Sequence, residues 1–373
     1  LSFGHAAYFG VGAFAALHLM IAVEDGLFFP TPLLPLAGGL AGLVVGVVAG
    51  YFSTMRSGVY FALVTLAIAE LFHSLAPHLE GTFGGEAGVS SMRMPWMGFG
   101  FGTIIEVYYL TLGWVVLCGL ALWAYTRTPF GRLTLALRDN EQRVKFLGYN
   151  AHYAKVIVFA VSAMMTGVAG ALLAISNETA NYSLFSGSVS AQVVLQTFVG
   201  GSTVFFGPVI GATVFTLFSF LISDLTRSWL FYQGLIFVLV MLYAPTGIGG
   251  VIDHHIRNRR QLDLAKIGGP YLVALGGGIL IAAGTVFLTE SAEVLFGQDY
   301  AMARDGAAGG FPAYDLFGLS WSPLNPVTWL VPLVLLCGGV FILIRARRVI
   351  DRLWARKDEA TTADMTVGAG GKE

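Results

Sequence analysis

The chain has 373 residues, of which 56% are hydrophobic and only 12% are charged, and its mean hydropathy is +0.73. Soluble domains carry roughly a quarter charged residues, so this composition excludes an ordinary soluble protein and indicates a surface that lies in lipid. The net charge of −1 excludes a strongly basic nucleic-acid-binding protein, because binding phosphate requires clustered Lys and Arg.

Long apolar stretches recur along the chain. A bilayer core about 30 Å thick is crossed by about 20 helical residues, and about ten segments meet or approach that length. The sequence therefore predicts an all-α fold, a polytopic transmembrane helical bundle. The predicted segments are 5–23, 33–53, 58–77, 107–126, 154–176, 189–201, 204–223, 229–244, 270–288 and 327–345. Because Leu1 already stands within a membrane-like stretch, we expect the chain to be N-terminally truncated.

The second predicted segment carries glycines at a regular spacing of four residues: Gly38, Gly42, Gly46 and Gly50. This spacing lays a smooth stripe along one face of a helix. Small residues let helix backbones approach closely in lipid, where packing holds helices together. We therefore predict that another helix packs against this stripe.

The third segment carries two ionisable residues, Glu70 and His73, which lie three apart on one helical face. Ionisable groups inside a membrane are costly and often functional, so the pair is a candidate for the translocation path or for proton coupling. The alternative is that both side chains lie near the external end of the segment and reach water.

The stretch from Thr128 to Lys155 is too long for a simple turn between two spans. Its residues 131–148 alternate apolar and charged positions at helical spacing, and Gly148 is a plausible stop. The sequence predicts an amphipathic helix on the cytoplasmic face. Such a helix either lies on anionic lipid or docks into a groove of a cytoplasmic partner, and the residues alone leave both open.

The short segment 189–201 carries Gln192 and Gln196, four residues apart. A polar stripe on a short hydrophobic element indicates a water-lined pathway, and the segment is a candidate for a re-entrant element. Hydrogen bonding between helices is the rival explanation.

The character of the sequence changes after residue 252. We expect a basic cytoplasmic linker at 253–268, a C-terminal extension at 269–357 with two further transmembrane helices, and an external loop at 289–325. The polar residues 358–373 predict a disordered tail.

Positive residues predict the orientation, because loops rich in Lys and Arg stay cytoplasmic. The connections 24–32, 177–188 and 289–325 are poor in such residues and are predicted to be external. The cytoplasmic basic residues include Arg56, Arg127, Arg132, Arg138, Arg143, Lys145, Lys155, Arg257, Arg259, Arg260, Arg345, Arg347, Arg348, Arg352, Arg356 and Lys357.

Motifs for nucleotide binding do not occur in the sequence. It has no Gly-x-x-x-x-Gly-Lys-Ser/Thr loop and no Gly-x-Gly-x-x-Gly turn between a strand and a helix, so we expect neither ATP binding nor a cofactor in this chain. We interpret His254 and His255 as residues that flank a membrane span at the interface and not as metal ligands. We therefore predict no metal site. A membrane-embedded enzyme would need converging catalytic side chains, which the sequence does not show.

Several blocks of sequence resemble the branched-chain amino acid ABC transporter permeases, of the LivM type, over residues 1 to about 252. The blocks are LSFGHAAYFGVGAF at 1–14, GVYFALVTLAIAEL at 58–71, TPFGRLTLALRDNEQRVKFLGYNAHYAK at 128–155, VIVFAVSAMMTGVAGALLA at 156–174, VGGSTVFFGPVIGA at 199–212 and APTGIGG at 244–250. The segment 142–144, Gln-Arg-Val, departs from the small residues common in this family.

The resemblance implies a non-enzymatic permease subunit in the bacterial cell inner membrane. It implies that the helix around Arg138, Asp139, Glu141 and Gly148 couples to an ATP-binding subunit, which selects docking over lipid contact. The implied partners are two ATP-binding subunits similar to LivG and LivF, a second permease subunit similar to LivH and a periplasmic solute-binding protein. Branched-chain amino acids are the expected solute and urea or short amides the alternative; a proton-coupled secondary transporter is the alternative of a different class.

Overall fold

The computed structural model describes residues 2–258, 264–306 and 310–369. In these residues the predicted all-α fold is confirmed. The helices are α1 His5–Glu24, α2 Leu34–Ser53, α3 Val59–Leu75, α4 Glu80–Phe83, α5 Ile104–Arg127, α6 Pro129–Asp139, α7 Glu141–Phe146, α8 Ala151–Asn177, α9 Gly187–Gly200, α10 Gly207–Ile222, α11 Trp229–Tyr243, α12 Gly247–Asn258, α13 Leu264–Phe296, α14 Gln298–Gly306 and α15 Pro326–Ala369. Two antiparallel strand pairs accompany them, β1 Val89–Ser90 with β2 Thr179–Ala180 and β3 Tyr314–Leu316 with β4 Leu319–Trp321.

Seven of the described helices are long and apolar enough to cross a membrane, which is fewer than the sequence predicted. They are His5–Glu24, Thr31–Ser53, Val59–His78, Ile104–Arg127, Ala151–Asn177, Gly268–Phe296 and Pro326–Ile350. The pair Trp229–Tyr243 and Gly247–Ile256, bent by 45°, raises the count to eight when it is taken as one span. The predicted segments 189–201 and 204–223 form helices of only 14 and 16 residues, whereas a bilayer core needs about 20.

Local signals in the sequence explain where several helices begin and end. Thr103 begins α5 with a capping box, in which its hydroxyl accepts from the Glu106 backbone N–H and Glu106 accepts from the Thr103 N–H. Asn150 begins α8 by accepting from the backbone N–H groups of His152 and Tyr153. At the other end of α8, Glu178 adopts the left-handed conformation with a φ of 57°.

The chain divides into two compact units, Leu1–Thr197 and Phe198–Glu373. In the first unit, α8 lies along both α1 and α2. The glycine stripe of α2 faces α8: a Cβ added at Gly42 would lie 2.5 Å from the Ala163 carbonyl oxygen, and one added at Gly46 would lie 2.3 Å from the Ala163 Cβ. Gly38 faces Gly167 and Ala171 in the same way, and Gly50 faces Phe159.

Three helices of the first unit meet where glycines face each other. A Cβ added at Gly12 of α1 or at Gly38 of α2 would lie 2.2 Å or 2.6 Å from the carbonyl oxygen of Gly167 in α8. A Cβ added at Gly170 would lie 1.9 Å from the carbonyl oxygen of Phe9. The backbones of α1, α2 and α8 therefore touch directly, with no side chain between them.

The predicted external end of the first unit is held by a polar contact. Arg93 forms an ion pair of 3.2 Å with Glu178 and donates a 2.8 Å hydrogen bond to the Ile175 carbonyl oxygen. These bonds satisfy free groups at the end of α8. Beside them, β1 pairs with β2, with Val89 opposite Ala180. The segment before α5 is therefore fastened to the end of α8.

The second unit contains a helical hairpin formed by α13 and α15. The two helices approach closely at glycines: a Cβ added at Gly339 would lie 2.7 Å from the Gly277 carbonyl oxygen. The predicted external loop 289–325 is largely regular structure, because α13 continues to Phe296 and α14, β3 and β4 follow. Its apolar core is formed by Phe287, Tyr300, Tyr314 and Leu316.

Two carboxylates near the end of α13 bind the segment that begins α11. Glu290 accepts hydrogen bonds of 2.7 Å from the hydroxyls of Thr226 and Tyr232. Glu293 accepts one of 2.7 Å from Ser228. These bonds attach the C-terminal extension to the start of α11.

The predicted linker and tail also have described parts. In the linker 253–268, α12 ends at Asn258 and α13 begins at Leu264, while residues 259–263 lie outside the described residues. The backbone of α15 is helical through Ala369, where the sequence predicted disorder over 358–373. Continuing an existing helix costs little, because its nucleus is already formed by the apolar span. Residues 370–373 lie outside the described residues.

Candidate functional site

The loop between α5 and α8 contains two helices, of which α6 is fixed to the end of α5. The Thr128 hydroxyl accepts a 3.0 Å hydrogen bond from the Gly131 backbone N–H and donates one of 2.7 Å to the Tyr125 carbonyl oxygen. Pro129 occupies the first turn of α6, where its missing N–H costs nothing. Gly131 packs so closely that an added Cβ would lie 2.2 Å from the Tyr125 carbonyl oxygen.

The single amphipathic helix predicted over 131–148 is wrong, because the helix is interrupted at Asn140. This residue is extended, with φ −159° and ψ 101°, and its Oδ1 accepts a 3.0 Å hydrogen bond from the Arg143 backbone N–H. An Asn side chain competes for backbone N–H donors in this way, and Asn is therefore favoured at the start of a helix and not in its interior. A second helix, α7, therefore begins at Glu141. Gly148 follows it with a φ of +85°, a conformation that suits glycine.

Glu141 is the centre of an ion-pair network at the base of this loop. Its carboxylate lies 3.0 Å from the Lys145 ammonium and 2.5 Å from the Lys155 ammonium. Hydrogen bonds from Lys155, and after it from Lys145, hold the pKa of the Glu141 carboxyl below its ordinary value of 4.5. Because Lys155 lies in α8, the network joins α7 to that helix.

An apolar contact and a backbone bond hold α7 in the same place. The side chain of Val144 is 0% exposed. The Val144 carbonyl oxygen accepts a 3.4 Å hydrogen bond from the Tyr149 backbone N–H. The first half of the loop is therefore anchored to α5 and the second half to α8.

A cleft of about 490 Å³ opens beside Glu141, between the end of α2 and the start of α8. Lys145, Lys155, His152 and Ser57 are among the residues that line it. Lys155 also donates a 3.4 Å hydrogen bond to the Ser57 hydroxyl in the turn after α2. The cleft combines ammonium, hydroxyl and carboxylate groups.

The structure separates the four residues predicted to couple this loop to a partner. Arg138 and Asp139 end α6, form a 3.7 Å ion pair and have side chains that are 63% and 72% exposed. Gly148 is also exposed. Glu141, by contrast, is engaged within the chain by two lysines. Three of the four residues are accessible to another protein, whereas the Glu141 carboxylate holds α7 to α8.

Glu70 and His73, the predicted pair in α3, point to different neighbours. His73 Nδ1 lies 3.3 Å from the Tyr182 carbonyl oxygen, and the two rings are 5.5 Å apart. Glu70 is exposed, and a Cβ added at Gly187 would lie 2.8 Å from the Glu70 Oε1. No ion pair joins the two described side chains. In α9, Gln192 is exposed and Gln196 is half-buried.

The second unit contains a junction of helix ends that meet at glycines. A Cβ added at Gly200 would lie 1.9 Å from the Gly207 carbonyl oxygen, and one added at Gly247 would lie 2.4 Å from the Gly201 Cα. Gly201 has a φ of +112°, which favours glycine. The ends of α9, α10 and α12 meet here through backbone alone. The signal was present in the Gly-Gly and Gly-Ile-Gly-Gly motifs.

Sequence comparison agrees with the resemblance inferred from the motifs. A family model described as the permease component of the branched-chain amino acid transport system matches residues 1–245. This match covers α1 to α11. The extension that contains α13 to α15 lies outside it.

Individual relatives are transport permeases. The high-affinity branched-chain amino acid transport system permease protein LivM of Salmonella typhimurium, and that of Escherichia coli K12, are each 27% identical over 273 residues, which are 66% of this chain and 63% of the relative. The ribose import permease protein RbsC of Haemophilus influenzae is 27% identical over 242 residues, 62% of this chain and 71% of the relative. The matched region is thus less than two thirds of the length of the LivM relatives. No solved structure matches the chain.

Proposed function

The chain belongs to the family of branched-chain amino acid transport permease components, and on that premise we propose that it is the membrane-spanning permease subunit of an ATP-binding-cassette importer. The family match and the apolar helices identify a multi-pass protein of the bacterial inner membrane. In the proposed importer, ATP is hydrolysed by separate subunits. The solute arrives on a periplasmic binding protein.

The family match over residues 1–245 is the observation that carries this proposal, and the loop between α5 and α8 supports it. Exposed charges at Arg138 and Asp139 are available to an outside protein. The same loop is fixed to α5 through Thr128 and to α8 through Glu141 and Lys155. A partner that moves the loop would therefore move two membrane helices. Alternating access would follow from that movement.

We propose branched-chain amino acids as the solute. Both LivM relatives are named for these amino acids. Other relatives are named for ribose and L-arabinose, which shows that permeases similar to this chain serve more than one kind of solute. Urea and short amides are the alternatives within the same machinery.

The proposed complex contains three kinds of partner. Two ATP-binding subunits similar to LivG and LivF would contact the loop that contains α6 and α7. A second permease subunit similar to LivH would complete the membrane part. A periplasmic solute-binding protein would dock on the opposite face, where the connections are poor in Lys and Arg.

Uptake into proteoliposomes tests the proposal. The complex is reconstituted with its ATP-binding subunits inside and its binding protein outside, and uptake of labelled leucine, isoleucine, valine, ribose and urea is compared. We expect uptake of the three amino acids that requires internal ATP and continues when an uncoupler dissipates the proton gradient. Uptake that continues without ATP and stops with the uncoupler would instead identify a proton-coupled transporter.

A further inference from the structure

The helix α3 carries a carboxylate close to the middle of a membrane span. Glu70 lies in the span Val59–His78. At about 1.5 Å per residue, about 12 Å of helix separates it from His78 and about 16 Å from Val59, so its side chain is too short to reach water at either end. The other acidic residues of the seven described spans lie nearer to an end; they are Glu24, Glu106, Glu290 and Glu293.

Glu70 has no partner in the described part of the chain. No described residue donates a hydrogen bond to its carboxylate or forms an ion pair with it. Its side chain is exposed, on a face of α3 that it shares with exposed Leu63, Ala67 and Leu71. A carboxylate that faces hydrocarbon is costly, and such groups face water-filled cavities or cations instead. Glu70 therefore faces a water-filled path or a cationic group outside this chain.

The short helix α9 begins beside Glu70. A Cβ added at Gly187, the first residue of α9, would lie 2.8 Å from the Glu70 Oε1. The helix therefore begins at the depth of Glu70, inside the span, and its 14 residues are fewer than a bilayer core needs. Helices that are interrupted inside the membrane are a feature of solute sites in transporters.

The same face of α9 carries two exposed polar side chains. Ser188 follows Gly187 directly, and Gln192 lies four residues further on, one turn along the same face. Both side chains can donate hydrogen bonds. Glu70, Ser188 and Gln192 therefore form a polar patch on an otherwise apolar surface.

The chemistry of the polar patch suits a small zwitterion. An unpartnered carboxylate attracts an ammonium group, which can donate charge-assisted hydrogen bonds to it. The Ser188 hydroxyl and the Gln192 amide are donors that suit a carboxylate. An α-amino acid carries both an ammonium group and a carboxylate. Ribose, for which one relative is named, carries neither.

We propose that Glu70 binds the ammonium group of the transported amino acid near the middle of the membrane, and that Ser188 and Gln192 line the same path. This inference rests on the proposed function and names the side chain that favours amino acids over uncharged solutes. Glu70 contacts the solute directly in this arrangement. His73, which lies against the Tyr182 carbonyl oxygen, takes no part.

Thiol labelling of the reconstituted complex tests whether the polar patch borders an aqueous path. Cys118→Ser and Cys337→Ser remove the native thiols, and Gln192→Cys or Val116→Cys then introduces one. Val116 is the matched control, because it is exposed near the middle of the span Ile104–Arg127. We expect a cationic and an anionic methanethiosulfonate to label position 192 and neither to label position 116. Failure of both reagents to label position 192 would overturn the inference.

The two labelling rates also measure the effect of the Glu70 charge on cations in the path. Each rate is divided by the rate of the same reagent with a free thiol. We expect the cationic reagent to label position 192 about threefold or more faster than the anionic one, and Glu70→Gln to abolish this preference. A change in thiol reactivity alters both rates alike and leaves their ratio unchanged. The same ratio with and without Glu70→Gln would overturn the inference.

Uptake of labelled leucine by the complex provides the second measurement. We expect Glu70→Gln to reduce ATP-driven uptake by about tenfold or more, because the ammonium group loses a charged acceptor, and Glu70→Asp to retain more of it. Asp315→Asn removes an exposed carboxylate outside the region matched by the family and should leave uptake unchanged. Full uptake in Glu70→Gln would overturn this inference and leave the proposed importer standing. Uptake without ATP in the unsubstituted complex would contradict the proposed function itself.

Discussion

The hydroxyl of Tyr232 donates a hydrogen bond of 2.7 Å to Glu290, and so joins α11, inside the region matched by the family, to α13, outside it. Tyr232 is only 8% exposed. We expect Tyr232→Phe to lower the free energy of unfolding by about 1–2 kcal/mol, because the half-buried carboxylate loses a donor. Denaturant unfolding in detergent measures the change.

The control for this prediction is Tyr60→Phe, which removes a hydroxyl from an exposed residue of α3. The double variant Tyr232→Phe with Glu290→Gln should destabilise by less than the sum of the two single variants, because both remove one bond. Additive effects would show that the bond between Tyr232 and Glu290 contributes nothing to stability.

The pair of Glu141 and Lys155 should determine how well the loop transmits movement. We expect Lys155→Glu to reduce ATPase activity stimulated by the loaded binding protein several-fold, because two carboxylates would then face each other. Exchanging both residues, Glu141→Lys with Lys155→Glu, should restore part of the activity. Arg348→Gln removes an exposed charge from α15, outside this loop, and serves as the control. Full activity in Lys155→Glu would contradict the assigned role.

Acid should weaken the attachment of α7 to α8, and neutral pH should not. The pKa of Glu141 is lowered in the folded chain by Lys155 and Lys145. A group with a lowered pKa stabilises the fold above its unfolded pKa, and that stabilisation is lost as the pH falls through the folded value. We therefore expect hydrogen exchange in residues 141–147 to be protected equally, after correction for intrinsic rates, from pH 6 to pH 8.

The corresponding loss of protection should appear only below the ordinary carboxyl value of 4.5. Glu141→Gln cannot ionise and should show the same reduced protection at every pH. A loss of protection between pH 6 and pH 7 in the unsubstituted chain would contradict the assignment, because it would require a different titrating group.

Substitutions at glycines that lie in helix contacts should differ sharply in stability from substitutions at glycines that touch no other helix of this chain. We expect Gly170→Ala to destabilise the protein by about 2 kcal/mol or more, because the new Cβ would lie 1.9 Å from the Phe9 carbonyl oxygen. Gly113 of α5 has nothing within 4 Å of an added Cβ. Gly113→Ala should be neutral or stabilising by about 0.5–1 kcal/mol. Thermal unfolding in detergent compares the two, and equal melting temperatures would contradict the packing.

Hydropathy predicts the long spans well, because about 20 apolar residues have few alternatives to a membrane helix. The segment predicted at 107–126 is observed as Ile104–Arg127, and the one predicted at 154–176 as Ala151–Asn177. Hydropathy does not predict the two short helices in the segments 189–201 and 204–223. There the helical structure breaks between Gly200 and Gly207, whose backbones are in contact. An apolar run alone does not show whether a break lies inside it.

The sequence predicted where the candidate site lies in the chain, but not the contacts that shape it. Charge and periodicity identified 131–148, yet the break at Asn140 depends on a side-chain hydrogen bond to the Arg143 backbone N–H. The ion pair of Glu141 joins residues 14 apart in sequence, which helical spacing does not reveal. Glu70 and His73 share a helix face, but His73 lies against the Tyr182 carbonyl oxygen. Tertiary contacts decided each of these outcomes.

Direct backbone contact at Gly12, Gly38 and Gly167 limits how α1, α2 and α8 can move. Helices separated by a layer of side chains adjust to one another by rotamer changes. Here that layer is missing, and a displacement of a fraction of an ångström would press a carbonyl oxygen against an α-carbon. These three helices should therefore move together as one rigid body during a transport cycle. Conformational change should be confined to the segments that connect them to the rest of the chain.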